Sequence, residues 1–102
     1  MKPEELFEAV VAELGEDPGV TEAKMFGSAG LKIEGKFFAS LYKGKLIVKV
    51  GEQRVDELAA AGKGDHFDPG MGRRMREWAE VGPSTQEEWI SLAEESRGFV
   101  SP

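Results

Sequence analysis

Between residues 22 and 50 glycine cuts the chain into short apolar runs, a spacing that leaves no room for a long helix. The runs cover 22–26, 30–33, 37–42 and 45–50, and the tripeptides EGK and KGK separate the last three. A turn this short joins strands most readily as a hairpin, because glycine supplies the positive φ that two-residue turns require. In the last run Leu46, Val48 and Val50 alternate with Lys45, Ile47 and Lys49. One strand face is therefore apolar and the other mixed. Ile47 and Phe38 both fall on the mixed face in this reading, which implies that it is not wholly solvated. The expected product is an antiparallel meander.

The flanking segments carry helical spacing. Pro3 suits the first turn of a helix, with Glu4 and Glu5 facing the positive end of its dipole. Leu6, Phe7, Val10, Val11 and Leu14 recur on one face, and Gly15 with Pro18 ends the run. A second, short helix is expected over 53–61, with Val55, Leu58 and Ala59 inward and Gly62 as its stop. The segment 76–81 reads as one more strand, with Trp78 on one face and Ala79 and Val81 on the other. Ser84 and Glu87 match a capping box that opens a third helix containing Trp89, Ile90, Leu92 and Ala93, with Gly98 as its end. Strands and helices are segregated rather than alternating, which defines an α+β class. The expectation is a bent antiparallel sheet of about five strands flanked by three helices, in two layers, as one domain over residues 1–102.

Composition excludes several kinds of function. The 102 residues include no cysteine, so disulfides, thiol nucleophiles and thiolate metal sites are absent. A lone histidine, His66 between Asp65 and Phe67, reads as a surface or hydrogen-bonded residue rather than a general base. Neither a cofactor nor a metal site is expected, and no set of residues forms a catalytic group, so the chain reads as a non-enzyme. No run approaches the roughly 20 apolar residues of a membrane span. The start, MKPEELFEAV, lacks a signal pattern, so an unprocessed cytoplasmic protein is expected.

A net charge of -6 argues against bulk adhesion to nucleic acid or to an anionic membrane. The charge is uneven, however. Residues 1–23 hold seven acids and one lysine, whereas residues 24–49 hold six lysines and one glutamate. Acid gathers in the expected helices and base in the expected strands. Lys24, Lys32, Lys43, Lys45 and Lys49 make this sheet the clearest electrostatic feature. Lysines on strand edges also oppose aggregation without any ligand.

The stretch FDPGMGRRMREW, residues 67–78, has two readings. In the first, Pro69-Gly70 turns the chain, Gly72 relaxes it, Met75 drops into the core and Arg74 pairs with a nearby acid. In the second, the glycine turn and the forks of Arg73 and Arg74 grip an anion or a partner. The spacing matches neither a phosphate loop nor a dinucleotide motif. The turn reading ranks first. The contact surface expected here joins Arg73 and Arg74 to Lys24, Lys45 and Lys49.

Several pieces in order carry a family resemblance. They are MFG at Met25, Phe26 and Gly27, then Gly30-Leu31, Gly35 through Ala39, Leu46 through Val50, and finally Gly72, Arg73, Met75, Trp78 and Val81. Over roughly residues 5–97 the chain resembles the N-terminal domain of the TfoX/Sxy family. That resemblance implies a helix-flanked, strongly bent antiparallel sheet. It also implies a regulatory role through protein contacts, since the best-known members regulate bacterial competence alongside a cyclic-AMP-dependent transcription activator. Those members carry a second, helical domain, and none is expected in this chain. The expected partner is a protein, such as a transcription regulator, with the chain a monomer or homodimer. Weak nucleic acid binding by the basic sheet is the alternative, as is small-ligand binding of the YjbR type, a small fold that shares the strand–turn–strand style and the late tryptophan.

Overall fold

The computed structural model describes residues 2–25, 27–70 and 75–101. Its elements run α1 (Pro3–Leu14), β1 (Val20–Met25), β2 (Ser28–Ile33), β3 (Lys36–Tyr42), β4 (Lys45–Lys49), α2 (Glu52–Ala60), β5 (Asp65–Phe67), β6 (Met75–Val81) and α3 (Gln86–Val100). The strands form one antiparallel sheet in the order β1-β2-β3-β4-β6-β5. It has six strands rather than about five. The extra one, β5, spans three residues, too few for an alternating pattern to show.

The meander forms as its turns dictate. Glu34 and Gly35 take φ values of 49° and 84°, and Lys43 and Gly44 take 50° and 78°. Positive φ at both central residues marks the turn whose twist matches that of paired strands. The register is consequently fixed, with Ile33 opposite Lys36 and Tyr42 opposite Lys45.

All three helices cover one face. Leu6, Phe7, Val10 and Leu14 of α1, Val55 and Leu58 of α2, and Trp89, Leu92 and Ala93 of α3 share a buried cluster with Val20, Leu31, Ile33, Ala39, Leu46, Val48, Ala79 and Val81. These strand residues alternate along β4 and β6 as the pleat requires. Burial on this face supplies the main driving force for folding. The Trp89 indole N–H donates to the Gly82 carbonyl at 3.1 Å, which satisfies its polar atom in the core.

Three local expectations change. Phe38 joins the helix-side core rather than the opposite face. The β2–β3 register slips there, with Leu31 opposite Ala39 and Lys32 opposite Phe37, so Phe38 is the extra residue of a β-bulge and breaks the alternation. The cap of α3 is Thr85, whose hydroxyl accepts the Glu88 N–H at 3.2 Å, and not Ser84. Gly98 does not end that helix, which continues to Val100. Gly62 does close α2 as expected, with φ 71° and the bonds Gly62 N–H to Ala59 and Lys63 N–H to Leu58.

Candidate contact face

The sheet face turned away from the helices has a second apolar cluster. Met25, Ile47, Phe67 and Trp78 are buried there, and Phe37, Tyr42 and Met75 pack partly buried against them. Ile47 and Trp78 reach this side because they alternate with core residues on β4 and β6. Met75 falls in this cluster and not in the core beneath the helices. The Tyr42 and Phe67 rings meet edge to face, with centroids 5.5 Å apart. Three strand steps at about 4.8 Å would hold β3 and β5 roughly 14 Å apart in a flat sheet. Contact between their rings therefore requires the sheet to curl toward this face. The bulge at Phe38 and the register break between His66 and Phe67 supply local bends.

Lysines rim the cluster. Lys32 holds its ammonium 4.7 Å from the centre of the Phe37 ring, and Lys43 sits 5.3 Å from that of Tyr42. Lys45 pairs with Glu80 at 3.3 Å and Lys49 with Glu77 at 3.8 Å. These partly exposed pairs tie β4 to β6 and take up some of the positive charge. Two of the expected contact lysines, Lys45 and Lys49, thus share one face. Lys24 does not join them. It alternates with Met25, which belongs to the second cluster, so it lies on the helix side of an edge strand. Lys32 belongs to the basic sheet expected from the sequence, whereas Phe37, Tyr42 and Phe67 were not expected in this surface. The lysine of β2 and the aromatic residues of β3 meet the contribution of β5 only through the curl, which no local pattern encodes. Gly72, Arg73 and Arg74, together with Phe26, lie outside the described residues.

His66 fits a structural role. Its Nε2 lies 2.9 Å from Asp56 Oδ1, joining β5 to α2, and its Nδ1 lies 3.5 Å from Asp65. On the helix side, Arg54 bonds Glu95 at 2.9 Å and Glu57 at 3.3 Å, linking α2 to α3. Partial burial weakens the proton's hold on that guanidinium, and the two carboxylates more than offset this, leaving its pKa above the ordinary value. Among the described residues no group of His, Asp and Glu is arranged to hold a metal ion. No described helix is long and apolar enough to cross a membrane.

The family motifs fall on the positions that build this arrangement. Met25 and Trp78 supply the second cluster, while Leu46 and Val48 supply the first. A Cβ on Gly30 would stand 3.2 Å from the Phe37 ring and 3.3 Å from the carbonyl oxygens of Ala23 and Ala39. The bare backbone there lets Phe37 lie across the sheet. The model of the TfoX N-terminal domain family matches residues 10–97. The chain belongs to that family. Among curated proteins, none matches it. In this TfoX N-terminal domain Gly35 holds a turn, while Met25, Leu46, Val48 and Trp78 hold the two clusters.

Proposed function

We propose that this TfoX N-terminal domain is a non-enzymatic regulatory module that acts by binding another protein through the curled sheet face. One observation carries the reading: on the helix-free face the half-buried Phe37, Tyr42 and Met75 lie over a buried apolar cluster and are bordered by Lys32, Lys43, Lys45 and Lys49. An apolar centre with a charged border is the usual build of a protein interface, where the centre gives affinity and the border orients the partner. A complementary partner presents acidic side chains around an apolar contact. The paired acids Glu77 and Glu80 moderate the positive charge, which favours a protein over the continuous phosphate charge of nucleic acid.

Affinity capture from nuclease-treated lysate tests this. The bait is the native chain, a rim variant Lys32→Glu/Lys49→Glu, and a helix-side control Glu8→Lys/Glu13→Lys. A protein retained by the native chain and the control, and lost with the rim variant, is the expected result. Equal retention by all three baits would contradict the reading, as would a protein that binds the native chain only in a parallel lysate left without nuclease.

A further inference from the structure

The two strands that end the sheet differ in what they leave open. β5 has three residues and β1 has six. Glu34 N–H donates to the Gly19 carbonyl at 3.0 Å, and this bond sets the phase of the β1–β2 ladder. With Thr21 opposite Lys32 and Ala23 opposite Gly30, those residues exchange backbone bonds with β2. Val20, Glu22 and Lys24 then turn their backbone groups away from the sheet. Asp17 O accepts the Val20 N–H at 2.9 Å. The outward N–H and C=O of Glu22 and Lys24 have no backbone partner among the described residues. An unpaired row of this kind is a template for another strand.

Charge selects which strand fits. Suppose a second copy of β1 pairs antiparallel across a two-fold axis. Centring the axis on Glu22 opposes two carboxylates, and centring it on Lys24 opposes two ammonium groups. Centring it on Ala23 sets Glu22 opposite Lys24 in both halves. That register also places the outward groups of Glu22 against those of Lys24, so every free donor meets a free acceptor. Ala23 then meets its own copy in a pair without hydrogen bonds, where opposed Cα atoms come closest and a methyl group fits. The edge is not overhung there: Glu22, Ala23, Lys24, Ala29 and Gly30 line a shallow depression of about 310 Å³. Glu22 and Lys24 are exposed, with no ion-pair partner among the described residues.

We propose that β1 is a homodimer edge, pairing antiparallel with β1 of a second copy about Ala23, with Glu22 and Lys24 of each chain opposed to Lys24 and Glu22 of the other. The sheet then continues across the axis. Because the curled face carries the proposed partner contacts, dimerisation through β1 leaves both copies of that face available.

Sedimentation equilibrium of the full chain at low salt, up to millimolar concentration, tests the register by charge exchange. The native chain is expected to dimerise. Glu22→Lys and Lys24→Glu each oppose like charges in both halves, and should raise the dissociation constant at least about tenfold. An equimolar mixture of the two variants restores opposite charges at every opposed position, and should associate as tightly as the native chain to within about threefold. Thermal melts of the variants, whose changes lie on exposed side chains, establish that each remains folded. A native chain that stays monomeric throughout would overturn the proposal. So would single variants that dimerise like the native chain, or folded variants whose mixture does not associate.

Discussion

Ser96 is a buried hydroxyl in the middle of α3, and the strands beside it explain its presence. Continuing the β3–β4 register past Ala39 opposite Val48 would set Phe38 opposite Lys49. The Ser96 hydroxyl stands between those two residues instead, accepting the Lys49 N–H at 3.1 Å and donating to the Phe38 carbonyl. A single side chain thus replaces the last rung of the ladder, at the bulge that turns Phe38 inward. Ser96→Ala would leave two backbone groups unpaired, so a loss of about 2 kcal/mol in urea unfolding is expected. A loss under half of that would mean water or a shifted strand takes the role. Trp78, 8% exposed on the opposite face, belongs to the packing of the second cluster. Trp78→Ala should cost about 3 kcal/mol or more, and a cost below about 1 kcal/mol would show that the cluster contributes little to folding. The placement of Trp78 on one face of a strand and of Trp89 in the third helix was legible from spacing. The role of Ser96 was not, because a serine in a helix signals nothing until the bulge across from it is known.

The elements were legible where their signals are local. α1 starts at Pro3 and ends before Gly15 as the proline, acids and glycine imply, and the EGK and KGK turns set the hairpins. Where two signals compete, spacing alone does not decide. S-x-x-E at Ser84 and T-x-x-E at Thr85 are offset by one residue, and the chain uses the second. Gly98 resembles a helix stop, yet α3 runs on to Val100, and a Cβ at Gly98 would meet nothing within 4 Å. Gly98→Ala should therefore stabilise the protein by about 0.5–1 kcal/mol, by reducing the freedom of the unfolded chain. Thermal or urea unfolding checks the sign; destabilisation would mean that the glycine is needed in the last turn. β5 escaped the sequence reading for a different reason. Its three residues join the sheet through β6 and through the contacts of Phe67 and His66, which are made at long range.

At the scale of the molecule, one sheet separates two apolar clusters, and adjacent residues of β6 link them: Trp78 enters one and Ala79 the other. Neither cluster can open without disturbing the strand they share, so unfolding should be a single cooperative transition. Trp89 reports the helix side and Trp78 the curled face. Variants that retain one tryptophan each, Trp78→Phe and Trp89→Phe, should each show a fluorescence midpoint coincident with that of helical circular dichroism in the same variant; separated midpoints would mean the faces unfold independently. The family was legible because described motif residues hold a turn, at Gly35, and the two clusters, at Met25, Leu46, Val48 and Trp78. The partner was not, since exposed lysines are not constrained by folding, and the curl that gathers Lys32, Lys43, Lys45 and Lys49 around aromatic rings arises from bulges. The central claim is that this face binds the partner. A photo-cross-linking residue placed at Lys32, compared with one at Glu8 on α1, tests it most directly in living cells. A discrete protein adduct from position 32 and none from position 8 is the predicted result. An adduct from position 8 alone, or none from position 32, would contradict the account.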